Sequence, residues 1–354
     1  MAQLSKLDKS AFDAEIDGVK TGLFTLRNKN GLEMSVTNFG GRVVELFTPD
    51  RDGNFADIVL GHACLDKYVR FTGERFFGAT IGRYGNRIAN GRFSLNGKEY
   101  VLAQNNGTNN LHGGIRGFDM KAWTVLDVSD DTLVLGLVSP DGDEGFPARL
   151  EVRMTYRLTA DNRFEVEHIA HSDADTVVNL THHSFFNLRG EGNGDVNGHV
   201  LQINADKYTP VNESQIPTGE LAEVVGTPLD FRTPTAIGDR VDADFEQLKI
   251  GNGYDHNWVI NRKTPDGAEF AASVFEPQSG RKMEVYTTEP AMQFYGGNFL
   301  NGERGKTGKP YIRRGAFAIE TQHYPDTPNH PQFPSVLLRK DDEYRHICTY
   351  TFGR

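Results

Sequence analysis

The sequence has few cysteines and no cluster of basic residues, and each shortage argues against a class of protein. Its 354 residues include only two cysteines, Cys64 and Cys348, which lie far apart and outside any CxxC spacing. A disulfide framework or a cysteine zinc site is therefore not expected, and both thiols are interpreted as small core side chains. The net charge is −10, without a run of lysines or arginines. This argues against a nucleic acid or an anionic membrane as partner and favours a neutral small molecule.

Long apolar runs are missing as well. No segment reaches the roughly 18 apolar residues that a membrane span requires. The first 18 residues, MAQLSKLDKSAFDAEIDG, lack the apolar core of a signal peptide. We therefore expect a cytoplasmic protein, or a periplasmic or secreted one if a signal peptide has been removed. Hydrophobic residues still make up 38% of the chain, which is enough for a large core.

Helical periodicity is scarce, and what replaces it is a series of short alternating segments broken by turn residues. Asn96-Gly97 is a strong signal for a two-residue hairpin. Many short strands with regular turn signals favour an all-β sandwich, and one long domain is the economical interpretation. The clearest predicted strands are Phe24–Arg27, Glu33–Asn38, Arg42–Phe47, Glu151–Leu158, Arg163–His171, Thr176–Phe186, Arg281–Thr287, Ala291–Tyr295, Ala316–Thr321 and Tyr344–Phe352.

Strand alternation sorts two adjacent histidines onto opposite faces. His183 shares a polar face with Asn179 and Thr181, whereas His182 falls on the more apolar face. At most one of them is therefore expected to face a ligand.

Three other strand positions carry polar groups that are typical of a ligand site. Glu320 shares its face with Ala316 and Ala318, which leave room for a ligand, and Gln293 and Asp255 lie on other predicted strands. A sheet face with these groups and nearby aromatic rings is a sugar site in outline, because polar groups bind hydroxyls and rings stack on the sugar. Each residue alone also fits a solvated strand position.

Six segments together resemble a known family. They are IGRYGNRIANGRF at 81–93, NNLHGG at 109–114, NLTHHSFFNLRGEG at 179–192, YDHNWVI at 254–260, MQFYGGNFL at 292–300 and ETQHYPDTPNHPQFPSVLL at 320–338. In this order and spacing they are similar to the aldose 1-epimerase (galactose mutarotase) family, from about Gly22 to Phe352. The resemblance implies one domain over 1–354, with 1–21 as an N-terminal extension. Its fold would be a large antiparallel β-sandwich, the galactose mutarotase-like supersandwich, with a concave sugar-binding sheet.

The resemblance also implies an activity and the residues that perform it. The activity is the exchange of α and β anomers of a free aldose such as galactose or glucose. Glu320 matches the general base and His183 the general acid, and the implied sugar-binding residues are Asn86, Arg87, His112, Asp255 and Gln293. Where the family commonly has Asn and Tyr, this chain has His182 and Phe185.

The implied chemistry needs proton transfer alone, so no cofactor and no metal is expected. A carboxylate base and a protonated histidine suit neutral pH, because an unperturbed histidine titrates at about 6.5. Adjacent strand residues face opposite sides, so His182 and His183 cannot easily share a metal with Glu320. The alternatives are a phosphosugar 1-epimerase, a glycoside hydrolase or lyase on the same sandwich, and a non-catalytic sugar-binding module. A monomer and a homodimer are equally compatible with the sequence.

Overall fold

Short strands joined by tight turns build most of the molecule, as the alternating sequence predicts. The computed structural model describes residues 3–264 and 267–353. In these ranges it has two α-helices, Leu65–Val69 and Glu246–Ile250, neither of which is long and apolar enough to cross a membrane. The single 3₁₀ turns are Lys9–Phe12, Ala89–Gly91, Phe118–Met120, Asp143–Gly145, Ile237–Asp239 and Thr327–Asn329. The all-β fold class is confirmed.

Three antiparallel sheets contain most of the strands. The nine-stranded sheet has the order Thr124–Val128, Thr132–Ser139, Leu150–Leu158, Arg163–Ser172, Glu343–Gly353, Lys282–Thr287, Glu269–Phe275, Val200–Ile203 and Thr235–Ala236. The six-stranded sheet has the order Phe185–Phe186, Phe317–Gln322, Ala291–Tyr295, Asp255–Val259, Lys207–Thr209 and Ala222–Glu223. The four-stranded sheet has the order Leu23–Arg27, Glu33–Thr37, Arg42–Pro49 and Phe55–Asp57.

Short two-stranded ladders complete the fold. They are Ala14–Ile16 with Val19–Thr21, Ala79–Ile81 with Thr181–His183, Arg87–Ile88 with Asn110–Leu111, Arg92–Leu95 with Lys98–Val101, Thr176–Val177 with Leu337–Leu338, and Glu303–Arg304 with Pro310–Tyr311. The predicted two-residue hairpin at Asn96-Gly97 is confirmed, because Leu95 pairs with Lys98 and both turn residues have positive φ.

The main core lies between the six-stranded and nine-stranded sheets. Phe294 and Ile319 of the six-stranded sheet are fully buried in the same cluster as Val285 and Tyr350 of the nine-stranded sheet. The Tyr350 hydroxyl also donates a hydrogen bond to the Ile319 carbonyl at 3.1 Å. Because successive side chains of a strand point to opposite faces, this packing turns Gln293 and Glu320 away from the core.

The segment before Gly22 is folded against the sandwich. Phe12 is fully buried in an apolar cluster with Phe39. The backbone N–H groups of Leu4 and Ser5 donate to the Glu33 carboxylate at 3.0 and 2.7 Å. The predicted N-terminal extension is thus, from residue 3, an integral part of the packing.

The segment 176–186, predicted as one strand, is divided into three. Thr176–Val177, Thr181–His183 and Phe185–Phe186 pair with three different strands. Between the first two, Asn179 bonds across segments, since its Oδ1 accepts from the His323 N–H and its Nδ2 donates to the Gly85 carbonyl. These tertiary bonds replace a continuous ladder, yet the alternation of faces survives.

Candidate active site

A cavity of about 340 Å³ opens on the face of the six-stranded sheet that is turned away from the core. Strands supply its floor, and loops that are distant in sequence supply its walls. The lining residues are Glu74, Phe76, Asn86, Arg87, Asn106, Leu111, His112, His183, Gln215, Asp255, Tyr295, Phe299 and Glu320. Six of the seven predicted site residues are among them.

His183 and Glu320 form a buried pair in this cavity. The distance from His183 Nε2 to Glu320 Oε1 is 3.4 Å, and the side chains are 5% and 2% exposed. His183 ends the strand that pairs with Ala79–Ile81, and Glu320 lies in the middle of Phe317–Gln322 opposite Gln293. The Phe185 ring lies 4.9 Å from the His183 ring. Glu320 Oε2 is buried and has no hydrogen-bond partner among the described residues.

Burial shifts the titration of the two groups in opposite directions. Desolvation, reinforced by the nearby carboxyl groups of Asp255 and Glu74 and opposed by Arg87, raises the pKa of Glu320 well above its ordinary value. Desolvation lowers the pKa of His183 to about 3. A protonated His183, expected from the unperturbed pKa, therefore needs a partner that stabilises its charge. Both shifts favour the uncharged forms of the two groups, a protonated carboxyl group and a neutral imidazole.

His112 is fixed as a neutral hydrogen-bond donor. Its Nδ1 accepts a hydrogen bond from the Asn86 backbone N–H at 3.0 Å, and the backbone N–H of His112 donates to the Asn86 carbonyl at 3.0 Å. A ring nitrogen that accepts carries no hydrogen, so in the neutral ring the hydrogen is on Nε2. Burial lowers the pKa of His112 well below its ordinary value, which favours this neutral form. The ring centroids of His112 and His183 are 5.3 Å apart.

The same three groups are close enough to suggest a metal site. One ligand atom each from His112, His183 and Glu320 lies within 4.8 Å of the others. A metal-binding histidine usually donates its second ring N–H to an acceptor, and the free nitrogen binds the metal. At His112 the second nitrogen accepts instead, so the nitrogen left over carries a hydrogen and cannot bind a cation. The hydrogen-bonding pattern fits a proton-transfer site better than a metal centre.

Asp255 and Arg87 are held by amide side chains around the pair. Asp255 accepts hydrogen bonds from Gln293 Nε2 at 2.8 Å and from Gln215 Nε2 at 2.9 Å. Arg87 donates to Asn106 Oδ1 at 3.1 Å and to Gln215 Oε1 at 2.7 Å. Gln293 is the one predicted site residue that does not line the cavity, and it lies behind Asp255.

A family model described as aldose 1-epimerase matches residues 22–351. The chain belongs to the aldose 1-epimerase family. It is 44% identical over 323 residues to a galactose mutarotase from Homo sapiens, covering 91% of both chains. It is 40% identical over 338 residues to an aldose 1-epimerase from Escherichia coli strain K12, covering 95% of this chain and 96% of that one. The predicted family and enzyme class, an isomerase, are thus confirmed.

Solved structures of the aldose 1-epimerase family have the same fold. An aldose epimerase homologue from C. elegans superposes with a TM-score of 0.87 at 31% identity, covering 94% of this chain and 99% of the other. A galactose 1-epimerase from Lactobacillus acidophilus gives a TM-score of 0.82 at 28% identity, covering 96% of each chain. These matches confirm the predicted mutarotase-like sandwich.

Several cavity residues of this epimerase family member were not predicted from the sequence. Tyr295 shares a strand face with Gln293, so alternation alone was enough to find it. The others lie on loops or short segments that carry no periodic signal. They are Glu74, Phe76, Asn106, Leu111, Gln215 and Phe299.

His182, one of the two departures from the common family pattern, lies on the opposite face. Its Nδ1 is 3.1 Å from the Tyr156 hydroxyl and its Nε2 is 2.6 Å from Ser184 Oγ. The rings of Tyr156, Phe164 and Tyr350 surround it. The opposite orientation of the two histidines, predicted from alternation, is confirmed.

Proposed function

We propose that this protein interconverts the α and β anomers of a free aldose such as galactose or glucose, with Glu320 as general base and His183 as general acid. The observation that carries the proposal is the buried His183–Glu320 pair, 3.4 Å apart in a cavity lined by hydroxyl-binding groups. The relatives named galactose mutarotase support a sugar substrate.

Ring opening requires two proton transfers at the sugar. The Glu320 carboxylate takes the proton of the anomeric hydroxyl, the C1–ring-oxygen bond breaks, and the His183 imidazolium protonates the ring oxygen. After rotation about C1–C2, the former ring hydroxyl attacks the other face of the aldehyde. His183 takes the proton of that hydroxyl back, and Glu320 returns the other proton to the anomeric oxygen. A general acid and a general base each contribute roughly 10²–10⁴-fold.

We infer that the pair carries a single proton, which suits this cycle. With the proton on Glu320 both groups are uncharged, which the desolvated cavity favours. Moving it to His183 creates the carboxylate and the imidazolium that ring opening uses, without taking a proton from solvent. Sugar hydroxyls would bond to both charges and favour their formation.

His112 and Arg87 supply donors for the sugar oxygens. The hydrogen on His112 Nε2 is directed by the Asn86–Nδ1 bond, so the ring can donate but not accept. The Arg87 guanidinium is pre-oriented by Asn106 and Gln215. The His112 donor, fixed before the reaction, stabilises negative charge that develops on the anomeric oxygen, and Arg87 binds a sugar hydroxyl equally well before and during ring opening.

The charge of the cavity favours an uncharged sugar. Its described lining includes three carboxyl groups, from Glu74, Asp255 and Glu320, and a single guanidinium, from Arg87. A phosphorylated sugar would bring a double negative charge to a lining with one cation, Arg87, which already donates to Asn106 and Gln215. A phosphosugar epimerase, one of the alternatives, is therefore disfavoured.

Polarimetry tests the proposal. Fresh α-D-galactose, α-D-glucose, xylose and arabinose are each mixed with catalytic amounts of protein, with and without EDTA. We expect faster mutarotation of at least one aldose, unchanged by EDTA because His112 Nε2 carries a hydrogen. Relaxation at the buffer rate for all four sugars, with folded protein, refutes the activity and favours a binding module. Loss of activity in EDTA that a divalent ion restores contradicts the proton-transfer mechanism.

A further inference from the structure

One side chain joins the two oppositely charged groups of the cavity wall. The Gln215 amide accepts from Arg87 Nη2 through Oε1 at 2.7 Å and donates to Asp255 Oδ2 through Nε2 at 2.9 Å. Gln215 also lines the cavity. The donor and acceptor ends of one amide are thus matched to a cation and an anion.

The backbone at Gln215 is held in an unfavourable conformation. Its φ of 59° is left-handed, which an unbranched side chain other than Asn or Asp rarely adopts. The turn is closed by hydrogen bonds from the Gln215 N–H to the Asn212 carbonyl at 2.8 Å and from the Asn212 N–H to the Ile216 carbonyl at 2.9 Å. Backbone strain that the surroundings enforce is concentrated at functional sites.

A second contact anchors this turn to the wall of the cavity. The side-chain amide of Asn109, near His112 in sequence, donates to the Ser214 carbonyl at 3.3 Å. The turn therefore has a fixed position relative to Arg87, whose strand pairs with Asn110–Leu111. A turn fixed in this way holds the Gln215 amide between Arg87 and Asp255.

We propose that Gln215 is a positioning residue for sugar binding, which keeps Arg87 and Asp255 apart as two separate hydroxyl-binding groups. This inference rests on the proposed function. Without the amide, opposite charges on the two groups would draw them toward a direct ion pair. Arg87 and Asp255 would then form hydrogen bonds to each other instead of to the hydroxyl groups of the sugar.

The role predicts an effect on binding rather than on proton transfer. Gln215 contacts neither His183 nor Glu320 through any of its hydrogen bonds in the described structure. Its removal should raise KM and leave kcat nearly unchanged, the pattern of a lost interaction that is equally strong in the ground state and the transition state.

The decisive variant is Gln215→Gly, because glycine accepts a left-handed φ and so removes the side chain without adding strain. We expect KM for the best aldose to rise about tenfold, since two hydrogen bonds to charged groups are lost. We expect kcat within about threefold and an unchanged or higher melting temperature. Gln215→Glu keeps the length but turns a carboxylate toward Asp255, so its KM should rise at least as much. Glu213→Ala, an exposed change in the same turn, is the matched control and should keep the wild-type KM.

Outcomes for this inference and for the proposed function are distinguishable. A wild-type KM in Gln215→Gly, or a loss confined to kcat, overturns the positioning role while the mutarotase activity stands. If the wild type binds an aldose in an NMR titration without accelerating mutarotation, the proposed function fails. The role of Gln215 is then decided by comparing the dissociation constants of the wild type and Gln215→Gly for that aldose, and equal values overturn it. Absence of binding to any aldose overturns both.

Discussion

The two faces of the six-stranded sheet are equally buried but differ in the side chains that they carry. Phe294 and Ile319, neighbours on the core face, pack against the nine-stranded sheet. Gln293 and Glu320, the adjacent pair on the other face, are 4% and 2% exposed, and each has a side-chain oxygen without a partner among the described residues. Since an unpaired buried acceptor is costly, the Glu320 oxygen in the cavity supports the proposal that this face binds a ligand.

The adjacent histidines repeat this comparison within one strand. His182 has both ring nitrogens within hydrogen-bond distance of hydroxyl groups and is enclosed by aromatic rings. His183 instead faces Glu320 and the cavity. These contacts support a structural role for His182 and a chemical role for His183 as proposals. The face, rather than the degree of burial, separates the two roles.

The largest effect is expected from Glu320→Gln, which keeps the shape of the side chain and removes the base. We expect kcat to fall by roughly 10²–10⁴-fold with the fold intact. Ile319→Val on the core face is the matched control and should cost about 0.5–1.5 kcal/mol of stability with kcat retained. Polarimetry and thermal unfolding measure both. Comparable kcat in the two variants would remove the distinction between the faces.

The next effect separates the two histidines. His183→Asn should lower kcat by about 10²-fold or more, the contribution of one general acid. His182→Asn should keep kcat within about tenfold. It should lower the melting temperature instead, because it breaks the contacts with Tyr156 and Ser184. If His182→Asn loses activity while His183→Asn stays active, the general acid is His182 and not His183.

A smaller effect concerns stability and pH on the core face. Burial lowers the pKa of His182 to about 3 in the folded protein, whereas an unfolded histidine titrates near 6.5. Below pH 6.5 the unfolded state binds a proton at His182 and the folded state does not. The contribution of His182 to the free energy of unfolding is therefore fully present above pH 6.5 and decreases toward pH 3. Between pH 7 and pH 5 the protonation of His182 in the unfolded state should lower the free energy of unfolding by about 2 kcal/mol. Denaturant unfolding at both pH values should show that His182→Asn loses less unfolding free energy between pH 7 and pH 5 than the wild type does. An equal loss in the two proteins would contradict the lowered pKa of His182.

The smallest effect is a shift of the pH profile by a neighbour on the cavity face. The Asp255 carboxylate helps to raise the pKa of Glu320, so Asp255→Asn should lower it. The pair then loses its single proton at lower pH, and the alkaline limb of kcat/KM should move to lower pH. KM should rise as well, because a hydroxyl-binding group is weakened. An alkaline limb that moves up or stays in place would show that Asp255 does not influence the pair.

Local patterns in the sequence were enough to predict the fold class and the strand face on which each polar side chain lies. Alternation has a period of two residues, so it assigns His183, Gln293 and Glu320 to one kind of surface and His182 to the other wherever the strands pair. It holds even though the segment 176–186 pairs with three partners rather than forming one strand. The ordered motifs added the family, which no single residue could indicate.

Tertiary structure alone decided which groups meet and in which direction their pKa values shift. Gln215 and Glu74 lie on irregular segments, and nothing in their local sequence says that they reach the cavity of Glu320. The opposite pKa shifts of Glu320 and His183 come from desolvation by the surrounding segments, together with nearby charged groups. Strand alternation is a property of neighbouring residues, whereas burial and charge depend on segments that only the folded chain brings together.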